Sequence, residues 1–285
     1  MTSFLQAAIL GIVQGLSEFL PISSSGHLIV IPKLFGWQGV VDSLSFDVAL
    51  HAGSTAAVVG FFWQDWVKMV SSFLKSIGGG KEKVLSDSNS KLLLLLVFGS
   101  IPAALVGFLF QDFIETNVRS ALLVGAMLVI FGLVLWGVDK ISGQKRKLDD
   151  IGWWDTLLVG VAQAVALIPG VSRSGVTITA ARWASLNRES AVRFSFLLST
   201  PAIVGATLLT FKDYLPAMQG IALQAGLKDG SENGFSVLFV GFITAAISGW
   251  LAIKFLLSFV QKHNFNIFVT YRIAFGLFLI IWAFR

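Results

Sequence analysis

Gln14-Gly15-Leu16-Ser17-Glu18-Phe19-Leu20-Pro21-Ile22-Ser23-Ser24-Ser25-Gly26 returns 149 residues later as Gln163-Ala164-Val165-Ala166-Leu167-Ile168-Pro169-Gly170-Val171-Ser172-Arg173-Ser174-Gly175, with Gln, two Ser and Gly in the same register. Both copies are polar, turn-forming runs set inside apolar sequence. They differ in chemistry. The first carries Glu18 and His27 where the second has Leu167 and Val176, and the second carries Arg173 where the first has Ser24. One copy brings acid and base, the other a fixed cation.

The surroundings of the two runs define their solvent. Hydrophobic residues make up 55% of the 285 positions against 13% charged, and the mean hydropathy is +0.79, so most of the chain faces lipid. Apolar stretches near the roughly 20 residues that a spanning helix needs run over 3–20, 45–64, 92–110, 120–138, 152–168, 194–211, 235–260 and 267–284. None alternates apolar with polar at a period of two, which selects helices over barrel strands. The first stretch has no basic leader and holds Glu18 and Pro21 where a cleavage region would lie, so it is expected to be retained. Cysteine is absent, which excludes disulfides and a thiolate site. The net charge of +5 fits membrane orientation better than nucleic acid, which is not an expected partner, because the basic residues gather in particular loops.

The echo extends past the motif. Gly99-Ser100-Ile101-Pro102-Ala103-Ala104-Leu105-Val106-Gly107 resembles Gly241-Phe242-Ile243-Thr244-Ala245-Ala246-Ile247-Ser248-Gly249, and Ser54-Thr55 with Gly60 lines up with Ser199-Thr200 and Gly205. The chain is thus one integral-membrane domain of two halves, about 1–148 and 149–285. Each half reads as a segment broken at Pro21 or Pro169, followed by three hydrophobic helices. A broken segment that enters and leaves on one side, or crosses twice, gives each half an odd number of crossings and inverts the second. The expected fold is an all-α polytopic membrane protein built as an inverted-topology repeat, each half with one broken or re-entrant helix pair plus three transmembrane helices.

With that topology, fourteen of the 21 Lys and Arg residues fall on one side and Lys33, Arg119, Lys212, Lys228 and Arg285 on the other, while Arg173 and Arg272 lie within apolar segments. The richer side is expected in the cytoplasm, with both termini outside and the first break entering from the outer face. Trp37, Trp63, Trp66, Trp153, Trp154 and Trp183 fall near segment ends, as an interfacial belt would place them. Residues 75–91, with Gly78-Gly79-Gly80 and mixed charges, read as a solvated loop. They are no P-loop, since Lys81 is followed by Glu82 where Ser or Thr is required.

Gln14 and Glu18 share one helix face, and a carboxylate in an apolar helix marks function more often than packing. After Pro21, Ser23, Ser24, Ser25 and His27 stand where a new helix would aim its free N–H groups at the break, which suits an anion. Glu18 and His27 across a turn suggest proton transfer or metal binding. Arg173 between Ser172 and Ser174 suits a phosphate clamp, with an ion pair to Glu189 as the bland alternative. Thr177 adds a hydroxyl, although bonding to its own helix backbone is the simpler role. His51 with Thr55 reads as polar packing, and His263 lies in a loop. Brought together, these groups describe a lipid-phosphate site for phosphoryl transfer to water, assisted by a carboxylate-held Mg²⁺ or Ca²⁺.

Gln14 through His27, and Pro169-Gly170-Val171-Ser172-Arg173-Ser174-Gly175-Val176-Thr177, resemble the two signatures of the undecaprenyl-diphosphate phosphatase family, also called bacitracin-resistance proteins. The resemblance covers essentially the whole chain. It implies a bacterial plasma-membrane enzyme that hydrolyses undecaprenyl diphosphate to the monophosphate and inorganic phosphate, depends on a divalent cation, and recycles the carrier lipid for cell-wall synthesis. It further implies Glu18 for metal or proton transfer, Ser24 as candidate nucleophile, His27 as acid or base, and Arg173 with Ser172, Ser174 and Thr177 around the diphosphate. Ser23 and Ser25 join the substrate-binding set and Gln14 the metal set, where many members have Glu. A flippase for prenyl phosphates is the alternative that architecture alone allows, and a homodimer is one assembly left open. The type-2 phosphatidic acid phosphatase class is set aside, because the only His after Arg173, His263, lacks the Asp four residues on that this class requires.

Overall fold

The computed structural model describes residues 2–117, 120–205 and 234–284. Within them the chain is helical: α1 Ser3–Phe19, α2 Ser24–Phe35, α3 Leu44–Phe61, α4 Trp63–Ile77, α5 Gly80–Ser86, α6 Ser88–Asn117, α7 Ala121–Ile141, α8 Trp153–Val165, α9 Arg173–Trp183, α10 over 188–205, α11 Gly234–Phe259 and α12 Asn266–Ala283. Among the described residues the only β pairing is an isolated bridge between Arg146 and Leu186. Helices α3, α6, α7, α11 and α12 are long and apolar enough to cross a membrane. The chain is a multi-pass membrane protein. Residues 206–211 of the apolar stretch 194–211, together with Arg119, Lys212, Lys228 and Arg285, lie outside the described residues.

Both breaks fall where the motif puts them. Helix α1 stops because Pro21 offers no N–H and forces the preceding Leu20 into extended backbone, at φ −69° and ψ 144°. Helix α8 ends at Val165, and the chain then turns through Gly170 at φ 94°, where a Cβ would meet the Val124 carbonyl oxygen at 2.5 Å. Each break closes on a serine in left-handed backbone, Ser23 at φ 73° and Ser172 at φ 70°. Serine rarely adopts that conformation, so the surroundings must hold it. The next residues, Ser24 and Arg173, open α2 and α9.

Close backbone packing recurs between the halves. A Cβ at Gly11 in α1 would lie 2.6 Å from the Gly241 carbonyl oxygen in α11, and one at Gly160 in α8 would lie 2.4 Å from that of Gly99 in α6. Small residues let α1 press on α11 and α8 on α6, the means by which helices associate in lipid. Helices α7 and α12 also pack together, with Gly125 against Gly276. At one end of the molecule the buried Arg182 donates to Asp139 at 3.0 Å and Arg188 donates to the same carboxylate at 2.9 Å, tying α9 and α10 to α7.

One expectation is corrected. Residues 75–91 are not a loop: α4 continues to Ile77, α5 spans Gly80–Ser86, and α6 begins at Ser88. Lys and Glu are good helix formers, so their mixture does not by itself argue for coil. The helices are interrupted only at the glycines, with Gly80 at φ 77°, and at Asp87, which is extended at φ −81° and ψ 116°. Helix α4 buries Met69 and Ser76 and presents Val67, Val70, Leu74 and Ile77 outward, an apolar stripe with no soluble counterpart.

Candidate functional site

The two breaks meet at Glu18. This carboxylate sits on the last turn of α1, nearly buried, and its two oxygens are shared between the halves of the chain. Oε2 accepts from Ser24 Oγ at 2.7 Å and from Gln14 Nε2 at 3.2 Å. Oε1 accepts from Arg173 Nη2 at 2.9 Å and Nε at 3.3 Å. Ser24 and Arg173 occupy equivalent positions in the echoed motif, the first residue after the left-handed serine. The ion pair of Arg173 is therefore with the carboxylate of the other break and not with Glu189.

Two polar atoms at this junction are spare. Arg173 Nη1 and Gln14 Oε1 are buried with no hydrogen-bond partner among the described residues. A buried guanidinium N–H left open costs free energy unless a ligand completes it. An anion beside Arg173 and a cation or water at Gln14 would satisfy both.

The remaining serines shape the breaks. Ser23 and Ser25 share a hydrogen bond at 3.2 Å, and Ser172 and Ser174 share one at 3.3 Å. Ser172 Oγ also caps α9 by accepting from Gly175 N, and Ser174 Oγ donates to the Leu20 carbonyl in the opposite break at 3.1 Å. Thr177 is fully buried. It donates to the Arg173 carbonyl at 2.7 Å and meets Ser195 of α10 at 2.6 Å, so its hydroxyl is spent on packing.

His27 is buried on α2 but is not bonded to Glu18, Ser24 or Arg173. Its Nδ1 faces the Ser23 carbonyl at 2.7 Å and its Nε2 faces the Tyr271 hydroxyl at 2.5 Å, with the Phe275 ring stacked on the imidazole at 4.6 Å. Three contributors escaped sequence reasoning. Ser54 of α3 accepts from Gln14 Nε2 at 3.2 Å. Tyr271 meets His27. Arg272 is fully buried and donates to the carbonyls of Pro21 at 3.3 Å, Gly170 at 3.3 Å, Val171 at 2.8 Å and Leu128 at 3.2 Å. One side chain of α12 thus holds both breaks and α7. The available signal was an arginine inside an apolar helix, which lipid tolerates only with partners.

Among the described residues no three His, Cys, Asp or Glu side chains gather into a metal cage. Gln14 Oε1 is a free hard oxygen donor, whereas both Glu18 oxygens are engaged by Ser24, Gln14 and Arg173, so a cation carried mostly by a substrate's phosphate oxygens would reach Glu18 only by displacing one of these donors.

Comparison with known proteins adds to this geometry. The family model described as bacitracin resistance protein BacA matches residues 7–278. Curated relatives named undecaprenyl-diphosphatase include those of Elusimicrobium minutum (strain Pei191), 45% identical over 283 residues covering 99% of each chain, and of Desulforudis audaxviator (strain MP104C), 42% identical over 278 residues covering 98% of this chain and 97% of the relative. A third, from Thermodesulfovibrio yellowstonii (strain ATCC 51303 / DSM 11347 / YP87), is 42% identical over 272 residues covering 95% and 94%.

Proposed function

This chain belongs to the bacitracin resistance protein BacA family, and from that premise we infer that it is a membrane hydrolase converting undecaprenyl diphosphate to undecaprenyl phosphate and inorganic phosphate. That reaction returns the carrier lipid to cell-wall synthesis. The observation that carries the chemistry is the shared Glu18 carboxylate, with Ser24 Oγ on one oxygen, Arg173 on the other, and a spare Arg173 N–H beside them.

The residues divide the work as follows. Arg173 Nη1 and the first N–H groups of α2 and α9 take the terminal phosphate, since helix N-termini favour anions. Ser24 Oγ passes its proton to Glu18 Oε2 and attacks the terminal phosphorus, and the bridging P–O bond breaks to release the prenyl phosphate. Water then hydrolyses the phosphoserine. His27 serves as acid and base for the oxygen that leaves and the water that enters. Ser23, Ser25, Ser172 and Ser174 hold the two turns in shape around the diphosphate, and Thr177 braces α9 from behind. Mg²⁺ or Ca²⁺, held by Glu18 and Gln14 together with substrate oxygens, would supply neutralisation of the diphosphate charge.

The same reading relates the halves by inverted topology, with 1–148 and 149–285 as the repeats. Its support is the paired left-handed serines, the Gly11–Gly241 approach mirrored by Gly160–Gly99, and the packing of α1 on α11 mirrored by α8 on α6. Helices α2 and α9, of 12 and 11 residues, reach only about 16–18 Å at ~1.5 Å per residue. That length suits re-entrant segments better than full crossings of a core about 30 Å thick. The first break then opens outward and both termini lie outside.

Phosphate release from a C55 prenyl diphosphate by the purified protein tests the site. Ser24→Ala and Arg173→Ala are expected to lower turnover by about 10²-fold or more, and wild-type rates in both would overturn the assignment.

A further inference from the structure

His27 has no route to the reaction except through Tyr271. Its Nδ1 faces a backbone carbonyl, Ser23 O at 2.7 Å, and a carbonyl can only accept, so Nδ1 carries a proton in every state of the ring. All exchange must then pass through Nε2, and Nε2 is met by the Tyr271 hydroxyl at 2.5 Å. The imidazole is otherwise enclosed. Phe275 stacks on it at 4.6 Å, the Tyr271 ring lies nearly parallel to it at 5.7 Å, and only 6% of the residue is exposed. Tyr271 itself is 41% exposed, so the phenol links the sealed histidine to the outside of the fold.

We propose that Tyr271 is a catalytic residue, the group that hands His27's proton to the departing prenyl phosphate and takes one back from water. The proposal rests on the phosphatase reading above and adds to it the atom that touches the substrate. Position supports it: Ser24 and His27 are three residues apart on α2, a rise of about 4.5 Å on one helix face. An in-line displacement places the leaving oxygen on the far side of phosphorus from the nucleophile, and the Tyr271 hydroxyl beside His27 is the donor assigned to meet it.

The hydrogen-bond roles fix the sequence of events. With His27 protonated, Nε2–H donates to the Tyr271 oxygen and the phenolic O–H is free to donate outward. As Ser24 Oγ bonds to the terminal phosphorus and its proton goes to Glu18, the bridging P–O bond breaks. The bridging oxygen takes the Tyr271 proton, and Tyr271 takes the Nε2 proton. Now the neutral Nε2 accepts from Tyr271 O–H. When water attacks the phosphoserine, its proton goes to the Tyr271 oxygen while the phenolic proton moves to Nε2, and Glu18 returns its proton to Ser24 Oγ. All groups end in their starting states, and one water has been consumed.

Steady-state hydrolysis of a C55 prenyl diphosphate by purified full-length protein tests this with Tyr271→Phe, His27→Ala, the double variant, and Ser24→Ala. Tyr271→Phe keeps the ring stacking and removes one oxygen, and thermal unfolding checks that the fold is retained. We expect kcat to fall by about 10²-fold, the scale of a lost general acid–base, with KM within about threefold of wild type. The double variant should be no slower than the slower single one, because both act as one relay. Wild-type kcat in Tyr271→Phe alongside a slow His27→Ala would overturn the proposal, as would losses that multiply in the double variant. Full activity in Ser24→Ala would instead overturn the underlying nucleophile reading, a distinct outcome.

Discussion

Arg272 is the group on which the geometry of the site depends most, and replacing it with leucine separates the two breaks from their common anchor. The guanidinium is fully buried and reaches no carboxylate among the described residues, donating instead to four carbonyls on three parts of the chain. A hydrogen bond to a charged group contributes about 1.5–3 kcal/mol. Only the Val171 bond, at 2.8 Å, is short, and the other three are 3.2–3.3 Å, so they deserve the low end or less. Relief from burying an unpaired cation offsets part of the sum. The net loss should be about 3 kcal/mol, or roughly 6–12 °C in thermal midpoint at about 2–4 °C per kcal/mol for a chain somewhat smaller than this one. Unfolding of the purified protein in detergent reads that shift. Phosphate release per folded molecule should fall as well, because Pro21 and Gly170 flank the serines that place Ser24 and Arg173. A midpoint within 1–2 °C of wild type (roughly 0.5 kcal/mol on the same scale) would refute the stability claim. A lowered midpoint with wild-type turnover would refute the claim that Arg272 sets the site.

Two further outcomes follow from the packing and the donor set. Gly160→Ala should sharply reduce the folded yield, since its Cβ would press on the Gly99 backbone at 2.4 Å, whereas Gly107→Ala, with nothing nearer than Leu167 Cδ1 at 3.9 Å, should be neutral by the same expression and unfolding measurements. Chelation should abolish phosphate release and added Mg²⁺ or Ca²⁺ restore it; Gln14→Glu, by giving the cation a second carboxylate, should lower the half-saturating metal concentration, and an unchanged metal titration would count against Gln14 as a ligand.

The motif pair was legible because lipid makes its residues costly. Glu18, Arg173 and the serines could not sit in apolar helices without partners, so their presence alone announced a site. That Glu18 would pair directly with Arg173 was not legible, since the contact spans 155 positions and depends on two left-handed serines that no local rule predicts. His27 illustrates the same limit: proximity in sequence suggested a pairing with Glu18, yet its ring turns to Tyr271, 244 residues away. In residues 75–91 the charges and glycines hid the end of α4 and all of α5, because Lys and Glu suit a helix as well as a solvated loop. Arg272 was visible only as an arginine inside an apolar helix, and its four carbonyl partners come from elements that meet it only in the folded chain.

The central claim is that one break from each half builds a single phosphoryl-transfer site, and a double-mutant cycle across the Glu18–Arg173 contact tests it most directly. Glu18→Gln, Arg173→Gln and the double variant are compared by kcat/KM for phosphate release from a C55 prenyl diphosphate. Each single change should cost about 10²-fold or more, and the double variant should lose no more than the slower single one, as residues acting as a unit do. Losses that multiply, or a single variant that keeps the wild-type rate, would contradict the shared site.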